Sequence, residues 1–126
     1  MDSSGLDPAE MRLFERGVRE FNAGLFFECH DTLEEVWRGT RGPARDFLQG
    51  LIQISVGFYH LDNRNLLGGG SQLEKGLRRL EAYGSEYLGL ELARLRDEVK
   101  AWLERARAAD RLECEVRDLP KLRFIP

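Results

Sequence analysis

His30 and Glu34 stand four residues apart in FFECHDTLEEVW, where apolar residues recur at helical spacing, so the two side chains are neighbours on one helix. Such a pair can ligate a divalent metal, or act as a base oriented by a carboxylate. A second polar series, Gln49, Gln53 and His60, lies in the apolar stretch FLQGLIQISVGFYH. With Val56, these three return to nearly one direction on a helix, because offsets of four, seven and eleven residues are close to whole turns. Gln49 and His60 are about 16 Å apart along the axis at 1.5 Å per residue, so the series cannot converge on one atom. A short link makes the two helices antiparallel neighbours, and counting outward from it sets Glu34 level with about Gln49 and His30 level with about Gln53. The expectation is a polar cluster of His30, Glu34, Gln49 and Gln53 between helices two and three. His60 falls apart from it, near Asn22. An unpaired buried polar group costs about 1–3 kcal/mol, so these side chains should bond to one another, to water or to a ligand. Two readings stay open: a hydrogen-bond network that fixes helix register, or a site in which His30 and Glu34 hold a metal or move a proton. The sequence lacks HExxH, and glutamine is a poor zinc ligand.

The elements that must position these residues are helical throughout. Asp7-Pro8-Ala9-Glu10 starts a first helix, after a loose segment 1–6, through a capping residue, a proline at the first turn and a reciprocal glutamate. Met11, Phe14, Val18 and Phe21 form its apolar stripe, and Gly24 stops it. Helix two covers about Phe26 to Arg38. Phe26, Cys29, Leu33, Val36 and Trp37 make its apolar face, and Glu28, Thr32 and Glu35 point away. Gly39 to Pro43 is a turn. Helix three, Phe47 to Leu61, is apolar around nearly its full circumference, as a central helix should be, and Gly50 and Gly57 mark a side where a neighbour can approach closely. Asp62 to Gly70 reads as a mobile connection, with helix four opening at the capping box Ser71-Gln72-Leu73-Glu74 and stopping before Gly84. Helix five begins near Gly89 and carries Leu92, Leu95, Val99, Trp102 and Leu103. Leu119 to Pro126 is an extended tail that packs on the bundle or on a partner. No strand signal appears, so the expected fold is all-α: a single domain over residues 1–126, with about five helices and a buried central one.

At 126 residues, 42% hydrophobic and 33% charged, the chain can bury one core without staples. A net charge of -3 argues against binding nucleic acid by phosphate neutralisation. No window suits a membrane span and the N-terminus resembles no targeting segment, which points to a cytoplasmic protein. Cys29 and Cys114 form neither a disulfide framework nor a thiolate metal site, which fits a reducing compartment. Gly68-Gly69-Gly70 lacks the flanks of a phosphate loop, and no cofactor-binding motif is present. Ser55, inside a buried helix, most simply bonds its own backbone. A homo-oligomer using helix five or the tail is a further expectation.

FNAGLFFECHDTLEEVW followed by FLQGLIQISVGFYH resembles a family of small all-helical bacterial and archaeal proteins of uncharacterised function, described as predicted metal-dependent hydrolases. The resemblance covers about Phe21 to Leu80. It implies functional positions at Glu28, His30, Asp31, Glu34, Gln49, Gln53 and His60, with Asp31 standing where glutamate is usual. On that resemblance, His30, Glu34 and Glu28 would hold a divalent metal, and His30, Glu34, Gln49, Gln53 and His60 would serve catalysis. The alternative is a non-catalytic small-ligand or protein-interaction module whose polar cluster is structural.

Overall fold

A computed structural model describes residues 5–109, 111–112 and 115–126. Among these the fold is all-α, with five helices: α1 (Pro8–Asn22), α2 (Phe26–Gly39), α3 (Pro43–Asp62), α4 (Leu66–Leu80) and α5 (Ala93–Ala108). Asp7 and Glu10 form the expected reciprocal cap, Glu10 N–H donating to Asp7 Oδ1 at 2.7 Å and Asp7 N–H to Glu10 Oε1 at 3.0 Å. Leu6, expected in the loose segment, is instead buried in the core, whereas residues 1–4 lie outside the described residues.

α3 is the central helix, packed against α2 on one side and α4 on another. Phe58 reaches Phe21 of α1, Phe26 of α2 and Trp102 of α5, with ring centroids 5.7–6.2 Å apart, so one aromatic cluster ties four helices together. The α3–α4 seam is closer than ordinary helix packing. A Cβ on Gly57 would stand 2.7 Å from Leu73 Cδ2, and one on Gly76 would stand 2.8 Å from the Gly50 carbonyl oxygen. A side chain at either position would force its neighbours to shift. The burial gained in that contact offsets the roughly 1 kcal/mol that each helical glycine costs against alanine.

Four expectations are corrected here. The glycine triplet is not a mobile connection: α4 begins at Leu66, capped by Asn65, whose Oδ1 accepts from Gly68 N–H at 2.9 Å. Gly69 is inside that helix because its bare face lies against Leu61. Thr32 does not point away but is buried, because α1 covers that side of α2 through Gly17. Helix five starts later than Gly89, and a short antiparallel hairpin precedes it, β1 (Glu86–Tyr87) with β2 (Leu90–Glu91). The turn residues Leu88 and Gly89 both have positive φ, as a two-residue hairpin turn requires, without the Asn-Gly or Asp-Gly signature. Finally, α3 is not apolar-packed around its whole circumference: Gln49, Gln53, Val56 and His60 are half-buried, with Asp46 and Tyr59 exposed beside them.

The tail packs on the bundle. Leu119 and Leu122 are buried, Phe124 bridges Leu90, and the Asn22 amide clamps the Leu122 backbone by donating to its carbonyl at 2.9 Å and accepting from its N–H at 2.7 Å. Cys114 lies outside the described residues.

Candidate functional site

The polar residues do not form the expected cluster. His30 is held by its own helix, with Nε2 3.0 Å from Glu34 Oε2 and Nδ1 3.3 Å from Asp31 Oδ1. Glu34 also accepts from Arg38, one turn on, at 3.0 Å. Gln53 turns toward α4, where its Oε1 accepts from Arg79 Nε at 3.0 Å, and Arg79 also pairs with Asp46. Gln49 bonds to no side chain among the described residues. Glu28 is exposed, and two residues on a helix separate directions by about 200°, so it cannot share a ligand with His30.

His60, expected to stand apart, faces the same hollow as His30. A cleft of about 170 Å³ opens between α2 and α3, lined by Phe26, Phe27, His30, Val56, Tyr59 and His60. The level-counting above neglects the lean of helical side chains toward their own N-terminus. In an antiparallel pair, His30 leans toward the far end of α3 while Val56 and His60 lean back. Together these tilts move the meeting point about one turn, from Gln53 to Val56 and His60. Asn65 orients His60: its oxygen caps α4, so its nitrogen faces His60 Nδ1, at 3.5 Å.

The walls are aromatic. Phe27 is 51% exposed and Tyr59 37%, and their rings lie 5.7 Å apart, with Phe27 5.9 Å from His30. Leu25, also exposed, extends the apolar surface at the start of α2. Phe27 and Tyr59 escaped the motif-based reading, although for Phe27 a signal existed: Phe27, His30 and Glu34 at offsets of three and seven share one helical arc. Just inside, Cys29 is fully buried with Sγ 3.2 Å from Ser55 Oγ, and burial pushes its thiol up to about 12, which rules it out as a nucleophile at neutral pH. Ser55 donates to the Leu51 carbonyl, as expected.

Among the described residues no group of three or more His, Cys, Asp or Glu side chains could hold a metal ion. The expected ligands do not fit one: Glu28 diverges, and both ring nitrogens of His30 already face carboxylates. A wider depression of about 430 Å³ between α4 and α5, around Leu67 and Ala106, contains none of the candidate residues.

The structure thus defines an all-helical bundle with an aromatic-walled cleft between two antiparallel helices. The chain matches, over residues 14–70 from α1 into the first turn of α4, the model of a family described as "Domain of unknown function (DUF309)". It is also similar to an uncharacterised protein, YpuF, of Bacillus subtilis (strain 168), 36% identical over 80 residues. That match takes in 60% of this chain and spans less than half, 46%, of the relative. No helix among the described residues is long and apolar enough to cross a membrane.

Proposed function

We propose that the protein is a non-catalytic interaction module that docks one apolar side chain of a protein partner in the cleft between α2 and α3. One observation carries this reading: a small apolar hollow ringed by half-exposed aromatic side chains, with two imidazoles at its edge. Its volume of about 170 Å³ falls below the roughly 300–1,000 Å³ of pockets that enclose small molecules. It suits a single anchoring side chain, the usual centre of a protein interface.

The metal-dependent hydrolase implied by the resemblance needs a metal-binding group at His30 and Glu34, and the donor set described above does not supply one. A base at His30 needs a ring nitrogen turned to substrate, and both face acids of α2. The test is an NMR titration of the full chain with indole as a probe of the cleft, alongside elemental analysis of protein purified without chelator. Shifts confined to residues around Phe27, His30, Val56 and Tyr59, abolished by Val56→Trp, support docking. Stoichiometric zinc, manganese or iron that is lost in His30→Ala would overturn it in favour of the hydrolase.

A further inference from the structure

Beyond the cleft, the open stripe of α3 continues to a second, differently charged hollow. Gln53, Asp46, Lys75, Arg78, Arg79 and Ala82 line it, on the α4 side of the same stripe. Arg79 is committed to Gln53 and Asp46, and Arg78 stands 3.5 Å from Glu74. Lys75 has no carboxylate partner among the described residues. Glu74 is itself drawn toward α5, where Arg107 holds its carboxyl below the usual range. The hollow therefore keeps an excess of positive charge, although the whole chain is net negative.

The two hollows share one floor. Val56 and His60 belong to the apolar cleft and Gln53 to the basic one, and all three lie in the same half-buried arc of α3. α2 walls one end and α4 the other. The α3 residues of the two hollows are centred about nine residues apart, so their centres lie about 13 Å apart along the axis. A helix laid along the stripe matches that distance with an apolar side chain at one position and carboxylates about two turns away.

We propose that the partner docked by this face is an acidic amphipathic helix, its apolar anchor in the Phe27–His30–Val56–Tyr59 cleft and its carboxylates against Lys75, Arg78 and Arg79. This rests on the docking reading above and adds the partner's chemical class. Gln49 and Gln53, lying between the hollows, offer hydrogen bonds to the polar flank of such a helix.

The test pans a phage-displayed library of helical peptides of about 16 residues against the full chain, then measures the enriched peptides by fluorescence anisotropy on three proteins. These are the unaltered chain, Val56→Trp, which fills the cleft, and Lys75→Glu with Arg78→Glu, both exposed positions whose variants are checked for unchanged melting. The inference expects enriched peptides with acidic residues about two turns from an apolar anchor. Their affinity should fall about tenfold in each variant and weaken with salt. Enriched peptides without acidic bias, lost in Val56→Trp but indifferent to the charge reversal, would overturn the acidic class while leaving the docking reading intact. No enrichment, or binding indifferent to Val56→Trp, overturns both. Self-association of the chain that Val56→Trp abolishes would overturn the acidic-helix partner alone, since the occupant of the cleft would then be a second copy.

Discussion

Toward α4 the central helix presents Gly50 and Gly57 to the bare faces of Gly69 and Gly76, and an added Cβ at Gly57, Gly69 or Gly76 would fall within 3.0 Å of a neighbouring atom. About a quarter of a turn away the same helix presents Gln49, Gln53, Val56 and His60, all half-buried. The first side is fixed by geometry, because neither helix can move without losing dispersion contacts all along the seam. The second is held more lightly. Arg79 of α4 donates to Gln53, Asn65 at the cap of α4 faces His60, and beside the stripe one ring pair, Phe27 with Tyr59, crosses to α2. A helix that stability alone had shaped would have its uncovered side filled with charged residues. Here it carries glutamines, valine and an imidazole between two hollows, which is why the docking proposal is placed on this face.

The largest effect is expected where the sealed side is forced apart. In Gly76→Ala the new methyl meets the Gly50 carbonyl, which is backbone and cannot rotate aside. Overpacking costs about 1–3 kcal/mol and more where backbone is struck, partly offset by the helix-propensity gain of about 1 kcal/mol, so a net loss of about 2 kcal/mol is expected. Urea denaturation reads it; an unchanged or raised midpoint would show that the seam is looser than described. Losing Gln53 on the open side should cost less. Gln53→Ala removes one bond to Arg79, worth about 0.5–1.5 kcal/mol, and should leave the helical circular dichroism spectrum intact. Gln49→Ala should be smallest, within about 0.5 kcal/mol, since Gln49 bonds to no side chain among the described residues. A loss at Gln49 as large as at Gly76 would erase the distinction between the two sides. The same contrast exists within α2, where buried Cys29 adjoins half-open His30. Iodoacetamide should alkylate Cys29 only as fast as the protein unfolds, even at pH 8.5, where a thiol raised to about 12 stays protonated. Rapid labelling of the Cys29 peptide by mass spectrometry would mean that the α2–α3 interior opens locally.

Much of this was legible in the residues. The five helices, the Asp7–Glu10 cap and the close-approach role of Gly50 and Gly57 follow from periodicity and capping chemistry, which act locally. The contact of the tail with the bundle was also expected. The start of α4 was not, because three glycines in a row disfavour helix and only Leu61 and Gly57, distant in sequence, explain why Gly69 accepts one. The site was half visible. His30 beside Glu34 is a consequence of four-residue spacing, and it is present at 3.0 Å. The turning of Gln49 and Gln53 away from His30 and Glu34 was hidden, because a polar arc on an apolar helix reads alike whichever way it faces. The register was hidden too, since counting backbone positions leaves out the lean of helical side chains toward their own N-terminus.

The most direct test is the solvent exposure of α3 side chains, read as NMR line broadening by a soluble gadolinium chelate. The account predicts strong broadening of the Gln49 and Gln53 side-chain amides and the His60 ring, with Ser55 and Phe58 on the inner side unaffected. Equal protection of both sets would contradict it.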